Sequence, residues 1–171
     1  MQEAANSNPV RYDVDGFDTV TEALRTLLNS FPGLDEGEEI SFSKLSESSG
    51  ISMFPTSGAI IQTERISVIG KVRQVCLYPF YVIYRAGGLS QSRRAGIKEW
   101  LDNLGKWLER QPIIVSDTEY QLSGYPDLTG NRQFLSIDRQ TPAYLDSTNE
   151  NQSENWMISI TARYQNIFYR R

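Results

Sequence analysis

From Trp156 to Gln165 the side chains alternate without interruption, with Trp156, Ile158, Ile160, Ala162 and Tyr164 in one set and Met157, Ser159, Thr161, Arg163 and Gln165 in the other. A period of two sends successive side chains to opposite faces of an extended strand, so one face here is apolar and the other mixed. Such a strand needs a sheet to join and a second layer over its apolar face. The chain holds 1 Cys and 0 His, so neither a disulfide framework nor a zinc site can replace that layer. A hydrophobic core has to do it, and 171 residues with 39% hydrophobic side chains are enough for one domain.

The remaining elements follow from the same reasoning. Val20, Ala23, Leu24, Leu27, Leu28 and Phe31 recur at helical spacing behind Thr19 and Glu22, which have capping-box spacing, and Pro32-Gly33 ends the run. Residues 1–16 are read as a flexible polar arm and 17–171 as the folded domain. Ile40 and Phe42 alternate in a strand over residues 38–45, and residues 46–57 form a loop carrying Met53-Phe54. Residues 59–69 and 71–84 make a β ribbon about Gly70, with Pro79 calling for an edge or a bulge because it has no N–H to donate. A Gly87-Gly88 break leads into a helix capped by Ser90 or Ser92, whose apolar set is Ile97, Trp100, Leu101, Leu104 and Leu108. Residues 113–131 read as an ordered loop or short strand, 132–139 as a strand, and 140–155 as a long polar loop of the kind that is functional or mobile. The expected class is α+β, a mostly antiparallel or mixed sheet packed against two amphipathic helices.

Composition narrows the chemistry. Without histidine there is no Ser-His-Asp or Cys-His catalysis and no histidine general base, which leaves carboxylates, Lys, Tyr and metal–oxygen sites. Asp13, Asp15 and Asp18 lack the closing ligands of a calcium loop and are read as helix capping. The Gly87-Gly88 turn matches no phosphate-binding motif. Arg93 and Arg94 oppose the dipole of the helix they begin, so a carboxylate on a neighbouring chain is the expected partner. Tyr78, Tyr81 and Tyr84 are possible base-stacking platforms, but without basic interleaving they are read as cross-strand core pairs. Cys76 reads as a small buried hydrophobe. No catalytic residue, metal ligand or cofactor is assigned.

Net charge is -4, yet unevenly spread: residues 1–70 hold 4 Lys+Arg against 11 Asp+Glu, and residues 71–171 hold 13 against 10. That asymmetry suits head-to-tail attraction between copies. No stretch approaches the roughly 20 apolar residues of a membrane helix, and residues 1–9 lack a leader pattern, so synthesis in a cytoplasm is expected.

A leading amphipathic helix, a β ribbon, the Tyr84-Arg85-Ala86-Gly87-Gly88 turn into a Trp-bearing helix, and the closing Trp156–Tyr164 strand together resemble tailed-phage tail terminator proteins, also termed tail-completion or minor capsid proteins. The resemblance extends over about residues 17–169. It implies a virion protein whose copies form a ring, a hexamer by the family pattern. That ring caps the tail tube, stops its polymerisation and joins it to the head connector or sheath proteins, leaving a passage for DNA but reading no nucleic-acid sequence. Met53, Phe54, Arg93, Arg94, Tyr144 and Leu145 are the expected contact residues, placed on loops and a helix start. Competing expectations are another head–tail connector or neck protein, a metal- and carboxylate-dependent small-molecule enzyme, and a single-stranded nucleic-acid module.

Overall fold

The computed structural model describes residues 9–170. In chain order the elements are α1 (Val14–Leu28), β1 (Ile40–Phe42), β2 (Gly50–Pro55), β3 (Ile60–Ile66), β4 (Lys71–Ala86) and α2 (Gln91–Leu108), then β5 (Ile113–Val115), β6 (Thr118–Tyr120), β7 (Arg132–Arg139), β8 (Tyr144–Thr148) and β9 (Glu154–Tyr169). Seven strands form one sheet along the path β1-β2-β4-β9-β7, with β3 added to β4 and β8 to β9, while β5 and β6 form a separate hairpin. Only the β1–β2 pair is parallel. The fold is α+β, a seven-stranded mixed sheet against two helices.

Two 16-residue strands, β4 and β9, make the centre, paired from Lys71↔Tyr169 to Ala86↔Glu154. Their even-numbered residues meet in register, as in Cys76↔Tyr164, Tyr78↔Ala162, Phe80↔Ile160 and Val82↔Ile158, and all of these are buried. Both helices cover this face. Helix α1 brings Val20, Leu24, Leu27 and Leu28, and α2 brings Ile97, Leu101, Leu104 and Leu108, into one core. Cys76 lies within it, as expected for a small buried hydrophobe.

Several boundaries differ from the sequence reading. Residues 1–8 of the expected flexible arm lie outside the described residues, but residues 9–16 are not an arm. Tyr12 bridges Ile60, Asp13 N donates to Ala59 O at 2.7 Å, and α1 starts at Val14 with Asp13 as its cap. Thr19 therefore sits inside the helix, where its hydroxyl meets that of Thr129. The loop expected at 46–57 contains β2, and the one expected at 140–155 contains β8. Residues 113–120 form a tight hairpin whose corner residues Ser116 (φ 48°) and Asp117 (φ 66°) adopt the left-handed conformation of a two-residue turn.

Pro79 stands neither at an edge nor in a bulge, but opposite Thr161 in the central strand. On its other side, β3 pairing ends at Leu77 and β2 pairing begins at Phe80. The missing donor thus faces the gap between two strands, and Thr56 N satisfies the Pro79 carbonyl there at 3.0 Å.

Candidate assembly surface

Both helices lie on the even face, and among the described residues no helix covers the odd face of the sheet. Across it run Leu77, Pro79, Tyr81 and Ile83 of β4, Met157, Ser159 and Thr161 of β9, Phe54 of β2 and Tyr144 of β8. Phe54 stacks on Tyr81 with ring centroids 5.4 Å apart, and Ile83 lies opposite Met157, which in turn faces Tyr144. None of Phe54, Tyr81, Ile83 or Met157 belongs to the core or packs against it. These side chains are half-buried among their strand neighbours and form an apolar stripe on this face.

Parts of the sheet edge are closed to a further strand. At β1, Ile40 N donates to Asn29 Oδ1 at 2.8 Å and Asn29 Nδ2 donates to Ile40 O at 3.0 Å, so one side chain stands in for a neighbouring strand. At β7, Ile137 N donates to the Tyr125 hydroxyl and Arg139 N to Glu109 Oε2. The start of β3 is closed by Arg11 O, which accepts from Ile61 N. Strand β8 is open but interrupted by a bulge between Leu145 and Ser147 that presents Asp146, a common device against strand addition.

The expected contact residues separate on this frame. Met53 points inward from β2 and is fully buried, so its assignment as a surface contact is corrected; strand alternation sends only its neighbour Phe54 to the open face. Tyr144 and Leu145 are both exposed, but as adjacent strand residues they face opposite ways: Tyr144 lies beside Met157 on the open face and Leu145 beside Trp156. Arg94 does not await a neighbour's carboxylate. Its Nη2 lies 2.7 Å from Glu154 Oε2 of the same chain, and its Nε also donates to that carboxylate. Arg93 is exposed, with Nη2 3.4 Å from the Tyr84 hydroxyl. Of the three candidate platforms, Tyr78 and Tyr84 are core residues and Tyr81 alone lies on the open face.

Sequence reasoning missed Tyr81, Ile83 and Met157 as one patch. Their spacing marked strands, but which of two apolar faces the helices would cover was decided by tertiary packing.

The most strongly bonded polar cluster is inside. Asp13 accepts from Gly16 N, from Arg132 Nε at 2.9 Å and Nη2 at 2.8 Å, and from the Tyr164 hydroxyl at 2.7 Å. Burial alone would raise its pKa, but the bonds from Arg132 and Tyr164, the Arg132 charge and the Gly16 amide outweigh it and hold the carboxyl below its ordinary value. With each of its bonds directed at the scaffold, Asp13 is built to cap α1 and tie it to β7, not to meet a substrate. Among the described residues, no three Asp, Glu or Cys side chains gather as a metal site, and no helix is long and apolar enough to cross a membrane.

Comparison of the sequence with protein-family models and with curated proteins finds no match.

Proposed function

We propose that this protein is a structural assembly subunit, a tail terminator that closes the end of a tail tube as a ring and joins it to the head connector. The observation that carries this reading is the half-exposed aromatic and aliphatic sheet face opposite the two helices, centred on Phe54, Tyr81, Ile83 and Met157. A domain that buries one sheet face under two helices, blunts parts of its edge and leaves the second face apolar is suited to meeting a large partner surface. Its resemblance in element order and aromatic strand texture to tail terminators supplies the kind of partner, and the open face is assigned to the tube end.

The test is addition of the purified protein to polymerising tail-tube protein, read by electron microscopy. Tubes arrested at a uniform end cap, with growth restored by Tyr81→Asp or Met157→Asp, are the expected result. Unimpeded tube growth with no density at tube ends would rule the reading out.

A further inference from the structure

The β3–β4 hairpin ends in a turn that breaks the usual rule for such positions. Ser67 and Gly70 close it, with Gly70 N donating to Ser67 O at 3.0 Å, and its two corners are Val68 and Ile69, which are 105% and 71% exposed. Turn corners normally carry Gly, Asn, Asp, Pro or Ser, whereas two β-branched apolar residues there gain nothing from the fold. Around this tip stand Arg65, Lys71 and Arg73, none of which has a carboxylate within ion-pair distance among the described residues. Arg65 and Arg73 are even direct cross-strand partners, an arrangement of like charges that destabilises a lone hairpin. The tip is therefore an apolar knob with a basic collar in which Arg73 donates to Gln165 Oε1 at 3.1 Å and, among the described residues, no carboxylate pairs with Arg65, Lys71 or Arg73.

A counterpart lies at the other end of β3. Tyr12, Val14, Phe17, Gly58 and Ala59 line an open groove of about 570 Å³, within the roughly 300–1,000 Å³ that holds a compact apolar group. Asp18 lies in its wall and Asp15 beside it, both exposed and without an ion pair among the described residues. Strand β3 separates the groove from the tip by about 20 Å at 3.3 Å per residue, so a chain cannot fill its own groove with its own tip.

We infer that the Val68-Ile69 tip of one copy seats in the Tyr12–Phe17 groove of the next, with Arg65 and Lys71 facing Asp15 and Asp18. The contact joins two different patches, so it propagates from copy to copy and gives a ring where the rotation closes. This deepens the ring reading above by naming the surfaces between copies, and it is separate from the sheet face assigned to the tube.

The experiment mixes two variants of the full chain, each analysed by native mass spectrometry and sedimentation, with circular dichroism confirming the fold. Val68→Asp/Ile69→Asp removes the knob and keeps the groove; Val14→Lys/Asp18→Lys spoils the groove and keeps the knob. Each alone should associate about 30-fold or more weakly than the natural chain, as for loss of a central contact. Their equimolar mixture should form a 1:1 heterodimer and stop there, since only one junction is intact. Oligomers unaffected by either variant would overturn the tip-in-groove contact and leave ring assembly standing. A natural chain that stays monomeric at millimolar concentration and also ignores the tube would overturn both. Dissociation of the natural oligomer by removing residues 1–8, with the tip variant still assembling, would assign the groove to the chain's own N-terminus and overturn the inference.

Discussion

Asp13 and Arg132 lie 119 positions apart in sequence and meet in a two-pronged ion pair of 2.8 and 2.9 Å, with side-chain exposures of only 6% and 15%. The carboxylate also caps α1, so one side chain fixes the entry of the first helix to strand β7. Removing either partner leaves a buried charge unpaired. Asp13→Ala or Arg132→Ala should each lower unfolding free energy by about 3 kcal/mol, measured by urea titration. The double substitution should cost clearly less than the sum of the two, because the second change removes the stranded charge.

Stability should also fall in acid. Asp13 and Glu109 are both held below their ordinary values of 3.8 and 4.5: burial opposes this in each, but Arg132 and Tyr164 around Asp13, and Arg139 beside Glu109, prevail. A carboxyl with a depressed folded pKa contributes stability above its unfolded value and loses it as pH falls through the folded value. Urea midpoints should be flat from about pH 7 to 5 and drop below about pH 4, and Asp13→Asn should flatten part of that drop.

Two glycines in α2 should respond oppositely to alanine. A Cβ at Gly96 meets no atom within 4 Å, so Gly96→Ala should raise stability by about 0.5–1 kcal/mol through the lower entropy of the unfolded chain. A Cβ at Gly105 would fall on the Arg139 Cγ and Cδ atoms and meet Ile158 Cδ1 at 3.0 Å, while Glu109 holds Arg139 in place at 2.9 Å. Gly105→Ala should therefore lose about 1–3 kcal/mol in thermal unfolding despite its better helix propensity.

Met53 and Phe54 are neighbours with opposite duties. Met53→Ala opens a cavity in the core and should cost about 3 kcal/mol. Phe54→Ala gives up chiefly its stack on Tyr81, about 1 kcal/mol, and should instead weaken tube capping, measured by the density of caps at tube ends.

Burial, reinforced by the Asp13 carboxylate, pushes the Cys76 thiol up to about 11. At pH 8 the native protein should resist alkylation, and the labelling rate should track global unfolding as urea is raised, since the thiol lies in the central strand. Rapid labelling without denaturant would show that β4 opens locally.

The chain's own pattern was sufficient for the α+β class, for α2 with a serine cap narrowed to Ser90 or Ser92, of which the structure takes Ser90, and for the ribbon about Gly70, because periodicity and turn residues act within a few positions. It also made the inward set of β9 legible, from Trp156 to Tyr164. The candidate site was legible only in fragments: Phe54 and Tyr144 belong to the open face, while Met53 and Arg94 are occupied within the chain. Strand β2 escaped notice because its apolar run Ile51–Phe54 is framed by Ser, Gly and Pro, and β8 because Tyr144–Thr148 is short and mostly polar; each exists by pairing, β2 with β4 and β8 with β9. The same holds for Asp13: its residue type says helix cap, but its bond to Arg132 depends on where β7 lands. Local propensity is written residue by residue; which apolar face the helices cover, and which they leave, is a choice only the packed sheet and helices make.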